Sequence, residues 1–296
     1  MHLFIPLLAS IIFVASLICV KRVANPRPGK TGLGPVTVLF FSNQAMALAF
    51  TFFWRQSYAL PSLESVWQPL ALASLFVLGM LFTFAAIRLG DISIATPILG
   101  VKVVIVAVLL STISSNALSV SIWLAAAMAF LGIGLIQWTG RAQPKHALRT
   151  IAMALMATVF YAHFDVLVQS WAPTWGRGRL LSIIFWLVGL FSLPLLPWVE
   201  WKWLKEPEMI GWLGLTSILT ALQAFLMVIA LAYFGDAARV NIVFALRGMW
   251  AVALAWVLRK SLTSEESELS YSAFRLRFAG AGLLTAAVFL AIAEPI

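Results

Sequence analysis

Ten runs of mostly apolar residues follow one another along the chain, near 3–20, 36–54, 69–87, 93–111, 120–138, 151–170, 180–198, 210–233, 240–258 and 274–293. Each approaches the roughly 20 residues that a helix needs to cross a hydrocarbon core about 30 Å thick. The third and fourth runs, like the eighth and ninth, are separated only by a short turn, Gly90-Asp91 and Gly235-Asp236. Composition agrees: 62% of residues are hydrophobic, 10% are charged and thirteen are Trp, far from the balance of a water-soluble domain. The expected fold class is an all-α polytopic membrane protein with ten transmembrane helices.

The same numbers exclude several functions. Cys19, the one cysteine, lies inside the first run, so an internal disulfide and a thiol metal site are ruled out. Lys21 and Arg22 follow the first apolar run instead of preceding it, which argues for a retained helix over a cleaved signal peptide. The formal charge of +9 is scattered over short loops, where basic residues bias insertion and meet anionic headgroups; the partner it implies is the lipid bilayer, and nucleic acid is not expected. There is no HExxH, GxSxG or phosphate-binding glycine loop, and no metal-spaced His and carboxylate cluster. Neither an enzyme nor a cofactor is expected.

The chain repeats itself faintly. Ala85, Gly90, Asp91 and Lys102 recur 145 positions later as Ala230, Gly235, Asp236 and Arg247. Phe130, Gly132, Gly134 and Leu135 match Phe278, Gly280, Gly282 and Leu283 at a spacing of 148, and Phe13, Ala15, Pro26, Gly29 and Trp54 match Phe160, Ala162, Pro173, Gly176 and Trp201 at 147. The reading is two repeats of five helices, residues 1–145 and 146–296. An odd number of spans inserts the second repeat upside down relative to the first, and inverted repeats recur in secondary transporters because they build a central site that opens to either side.

On these features the chain resembles the EamA-type members of the drug/metabolite transporter superfamily. The resemblance rests on the five-plus-five organisation, on the stretches RLGDISIATPILGVKVV and YFGDAARVNIVFALRGM, and on the ends FLGIGLI and FAGAGLL, and it covers nearly the whole chain. It implies secondary transport, with a bacterial cytoplasmic (inner) membrane as the expected location, and leaves the cargo open. Orientation is contested. Fourteen of the twenty Lys and Arg fall in loops after odd-numbered spans, against Arg55, Arg177, Arg179 and Arg239 after even-numbered ones. That bias puts both termini outside, whereas the family generally keeps them in the cytoplasm.

Lys102 and Arg247 complete the twenty, and each falls mid-way along an apolar run. A charge at that depth costs on the order of 3 kcal/mol on insertion scales, so it faces a cavity or a partner. The functional reading is a pseudo-symmetric pair of cations gripping an anionic small-molecule substrate, the guanidinium offering two parallel hydrogen bonds and the ammonium a point charge. The plainer reading neutralises both with Asp165 or helix-end carbonyls. Asp165 is the one acid well inside a span, and Tyr161, Asp165 and Gln169 share a helical face at i, i+4 and i+8. Asp165 is read as a standing counter-ion, as a proton-coupling group, or as both in turn. His163 lies about 200° around the helix from it and forms no dyad.

Among other polar residues at membrane depth, Asn43, Gln44, Gln223 and Asn241, the last two are expected to bind substrate, because their helices adjoin the turn leading to Arg247. Pro97, beside Thr96, is expected to free a carbonyl near Ser93 or to kink the helix. Trp54, Trp67, Trp138, Trp171, Trp198, Trp201, Trp203 and Trp212 read as interfacial anchors, and Trp250 as a wall of the cavity or as packed bulk. Gly132, Gly134, Gly280 and Gly282 allow close helix approach and would suit a homodimer surface. The loop 198–209, with Glu200, Glu206 and Glu208, reads as solvated surface. The leading function is a secondary transporter of a small anionic or zwitterionic metabolite; its rivals are an exporter of amino acids or drugs with Lys102 and Arg247 permanently paired, and a non-transporting lipid-binding membrane protein.

Overall fold

The computed structural model describes residues 3–24, 34–54, 63–89, 98–113, 118–137, 147–250, 253 and 271–293, and among these the regular structure is helical throughout. The α-helices are α1 (Phe4–Ala24), α2 (Pro35–Thr51), α3 (Trp67–Leu89), α4 (Lys102–Ile113), α5 (Val120–Gln137), α6 (Ala147–Trp175), α7 (Arg177–Phe191), α8 (Pro207–Phe234), α9 (Ala237–Phe244) and α10 (Tyr271–Ala293). Four stretches are long and apolar enough to cross a membrane, Trp67–Ala86, Leu148–Trp175, Pro207–Phe234 and Arg275–Ala293, and shorter apolar helices accompany them. The protein is an integral membrane protein.

Packing divides the chain into two compact units, and neither is a sequential half. The first unit comprises Met1–Val77 and Leu167–Gly235, the second Leu78–Val166 and Asp236–Ile296.

In the first unit α8 lies against both α1 and α2, and α2 against α7. Pro35 and Pro207 open α2 and α8 at positions where the missing N–H costs nothing. One end of the three-helix contact is aliphatic, with Val23, Val38, Met209 and Leu213 buried together. Further along it becomes aromatic: Phe50 stacks on Phe185 at 4.1 Å between ring centroids, and Phe225 meets Phe50 at 5.0 Å and Phe53 at 4.7 Å. Gln44 donates to the Gly189 carbonyl at 3.0 Å and to Ser192 Oγ at 2.9 Å, an interhelical amide clasp of the kind expected at membrane depth. Three of the tryptophans read as anchors are in ring pairs, Trp54 stacked on Trp186 and Trp67 edge-on to Trp171.

Glu200 is more than solvated surface. Its carboxylate accepts from the Gly34 N–H at 2.8 Å, and its own N–H donates to Thr37 Oγ1 at 3.1 Å. Gly34 precedes the first turn of α2 and has no side chain with which to cap it. A distant acid supplies the acceptor, and places negative charge where the helix dipole favours it.

In the second unit the tightest contact is between α5 and α10. A Cβ at Gly280 would come within 2.6 Å of the Gly132 carbonyl, and one at Gly132 within 2.9 Å of the Gly280 carbonyl. These two glycines let the backbones touch inside one chain. Gly134 and Gly282, expected to act alongside them, have nothing within 4 Å of the position a Cβ would take. Replacing Gly280 with Val should therefore lower the melting temperature in detergent by the equivalent of about 1–3 kcal/mol, the usual cost of overpacking, while Gly134→Ala and Gly282→Ala should leave it within error; thermal unfolding of the three variants checks this.

Candidate functional site

The second unit gathers most of the polar residues singled out in the sequence. α8 ends on Gly235, whose φ of +66° is a left-handed conformation that glycine adopts without strain. Asp236 follows at once as N-cap of α9, its Oδ1 accepting from the Arg239 N–H at 3.1 Å. Arg239, counted among the loop cations in the sequence, is buried here. It pairs with Asp236 at 2.9 Å and donates from Nε to the Ala291 carbonyl at 2.9 Å, which ties the start of α9 to the end of α10. The sequence signal was an acidic N-cap followed three residues later by a base.

α9 then carries Asn241 and stops. The backbone turns at Ala245–Leu246 and becomes helical again over 247–250, so Arg247 stands immediately after the break. Tighter i+3 bonds run through it, Leu246 N–H to the Val243 carbonyl and Gly248 N–H to the Ala245 carbonyl, both at 3.1 Å. The other half does the same. Residues 98–100 are helical, Val101 is a turn, and α4 begins at Lys102, with the Val101 N–H on the Ile98 carbonyl at 3.0 Å. Residues 101 and 246 are separated by 145, the spacing of the sequence echo. A glycine lies within two residues of each break, Gly100 and Gly248, and both approach α5: a Cβ on Gly100 would meet Ile133 at 2.7 Å, one on Gly248 would meet Ile136 at 3.9 Å. Thr96, Pro97 and Ser93, where a kink was expected, lie outside the described residues.

Lys102, in the first turn of α4, has its charge at the wrong end of a helix dipole and in an apolar span, so an anion is required nearby. Asp165 supplies it: Lys102 Nζ lies 2.6 Å from Asp165 Oδ2, and both side chains are largely buried. Asn241 Nδ2 donates to the same Oδ2 at 2.8 Å and to the Ala237 carbonyl at 2.9 Å. Both amide hydrogens of Asn241 are thus engaged, one of them in holding the carboxylate. Asn241 is thereby tied to Asp165 and to its own helix.

Tyr161 lies one turn before Asp165, and the Lys102 ammonium sits 5.7 Å from its ring centroid. Gly79 of α3 makes room for that ring, for a Cβ there would come within 2.8 Å of Tyr161 Cε1. Arg247 stacks over Phe244 at 4.5 Å and interacts electrostatically with Asp165, Tyr161 and Lys102. Lys102, Asp165, Asn241, Tyr161 and Arg247 therefore form one constellation within the second unit. Gln223, predicted to join them, lies on α8, and Gln169 lies in the later part of α6; both belong to the first unit. His163 donates from Nδ1 to the Val159 carbonyl at 2.8 Å, a bond within its own helix. Among the described residues no group of three or more His, Cys, Asp and Glu side chains could hold a metal ion.

No family model matches the chain. No curated protein matches it either. Solved structures do match in fold. One, described as the crystal structure of a protein, superposes with a TM-score of 0.63 at 15% identity, over 97% of this chain and 98% of its own. The architecture is therefore one that an experimentally determined chain adopts over its whole length.

Removing one partner of a buried ion pair strands the other, at a cost of about 3–5 kcal/mol, whereas replacing both by apolar or neutral groups is often close to neutral. Lys102→Met and Asp165→Asn should each lower the melting temperature markedly, and the double variant should recover much of the loss. A double-mutant cycle by thermal unfolding measures this coupling.

Proposed function

We propose that the protein is a secondary transporter of a small anionic or zwitterionic metabolite, working by alternating access in the cytoplasmic membrane of a bacterium. The observation that carries the reading is the coincidence of two helix breaks, one in each half of the sequence, with two partly buried cations near a single buried carboxylate. Discontinuous helices at corresponding positions of two repeats are where transporters of inverted-repeat design place their substrate and ion sites, because a broken helix releases backbone groups that a cargo can use. The sequence halves 1–145 and 146–296 are the inverted repeats of this proposal.

The chemistry follows from the pairing. Asp165 pairs with Lys102, so the ammonium is not bare in the membrane. An arriving carboxylate or phosphate competes for Lys102, and Arg247 adds a planar fork suited to two parallel hydrogen bonds. Asp165 keeps the hydrogen bond from Asn241 as it gives up the lysine. Stripped of its cation, it is ready to take a proton from whichever side the site faces, a role that intramembrane carboxylates fill. Tyr161 and Phe244 wall the cations with aromatic faces. The short Lys102–Asp165 contact also favours a second reading, an exporter of amino acids or drugs in which that pair never opens.

Purified protein in vesicles distinguishes the two. With a panel of phosphorylated, carboxylated and cationic metabolites, anions should stabilise the parent against heat in proportion to RT ln(1 + [L]/Kd), and should lose that effect in Lys102→Ala and Arg247→Ala. Stabilisation of all three proteins alike by cations or neutral compounds would hand the site to the exporter reading. In counterflow assays Asp165→Asn should retain exchange while losing accumulation driven by a pH gradient; if accumulation persists, the proton is carried elsewhere.

A further inference from the structure

The first unit holds three buried side-chain oxygens that no protein group meets. Ser42 Oγ and Asn43 Oδ1 on α2 and Ser217 Oγ on α8 have no hydrogen-bond partner among the described residues, although the three residues are only 2%, 2% and 5% exposed. A buried polar group left unmet carries its whole desolvation cost. Other hydroxyls of the same unit avoid it by bonding their own helix: Ser10 Oγ donates to the Leu7 carbonyl at 2.6 Å, Ser16 Oγ to the Phe13 carbonyl at 2.8 Å and Thr216 Oγ1 to the Trp212 carbonyl at 2.7 Å. Ser42 and Ser217 leave that bond unmade.

Helix register brings the two serines level. α2 and α8 run the same way, for Val38 and Leu213 share one buried cluster, and twelve residues further along each helix Phe50 meets Phe225. The offset between the helices is 175 residues at both places, and Ser42 and Ser217 are separated by the same 175. Each therefore lies one turn beyond Val38 or Leu213, on the face that carries the α2–α8 contact. Asn43 is the neighbour of Ser42 and is equally buried.

We propose that Ser42, Asn43 and Ser217 form a binding site for a monovalent alkali-metal cation between α2 and α8. What the three groups share is an oxygen lone pair, and a cation engages all of them at once. Each serine can then turn its proton to the carbonyl four residues back, Val38 or Leu213, as Thr216 does to Trp212, while its lone pairs face the ion. Rings of neutral oxygens that replace a hydration shell hold monovalent ions inside membrane proteins. A divalent ion is bound largely through carboxylates. α1, α2 and α7 contain no acid, and Glu208 of α8 stands more than two turns before Ser217. None of the three residues belongs to the unit that holds Lys102 and Asp165.

The test is to melt the purified protein in detergent in NaCl, KCl and choline chloride of equal ionic strength. An alkali salt should raise the melting temperature of the parent above its value in choline, saturating as RT ln(1 + [L]/Kd) requires. Ser42→Ala, Asn43→Ala and Ser217→Ala should each weaken the apparent affinity by about tenfold or more, the worth of one contact to a charged group. Ser217→Thr, which keeps the oxygen, should keep the response. In choline the alanine variants should melt at or above the parent, because each has lost a group that nothing met, and this shows that they fold. Equal melting of the parent in all three salts overturns the proposal. So does alkali stabilisation that survives unchanged in all three alanine variants, since the ion then sits elsewhere.

Discussion

A carboxylate and an ammonium 2.6 Å apart in an apolar span form the contact around which the second unit is arranged. In that environment neither charge is tolerable alone, so each fixes the other and the helices that bear them. Lys102 comes from α4 and Asp165 from α6, and the shared oxygen brings in α9 through Asn241. Three helices distant in sequence are thereby registered to one atom. The arrangement stays open to change, because what holds the lysine is a charge, and another charge of the same sign can take its place.

The backbone around the pair is built to present it. Both cations stand directly after a helix break, and a glycine near each break approaches α5. α5 is locked in turn to α10 by the Gly132 and Gly280 crossing, and α10 receives Arg239 at its far end. Breaks in helices expose backbone groups that a bilayer cannot satisfy, so they persist only where neighbouring protein or a hydrated cavity covers them. Close packing against α5 provides that cover and leaves Lys102 partly accessible.

Much of this was legible in the sequence because charge in a membrane is expensive enough to betray itself. Lys102, Arg247 and Asp165 stood out on cost alone, and helical spacing put Tyr161 beside Asp165. Apolar length made the four membrane-capable helices legible. What escaped was whatever depended on long-range geometry. Gln223 was chosen for its place near the turn to Arg247, and its helix belongs to the first unit while Arg247 belongs to the second. Asn241 was chosen on the same ground, and its amide hydrogens proved to serve Asp165 and a backbone carbonyl. The breaks at Val101 and at Ala245–Leu246 contain no proline, so no local rule announced them. Glu200 read as a surface charge because the N–H it accepts from lies 166 residues away, and the second partner of Arg239, the Ala291 carbonyl, lies 52 residues on.

The interleaving of the two units bears on how the protein is made. Each unit is completed by a segment synthesised long after its first: Leu167–Gly235 for one, Asp236–Ile296 for the other. Helices α1 and α2 leave the ribosome early, yet the helix they both pack against, α8, follows only after the opening helices of the other unit have been inserted. Even the cap of α2 waits for Glu200. Assembly therefore cannot proceed one unit at a time. The early helices wait with the faces that α8 later covers unfilled, and the fold closes only as its last helices arrive.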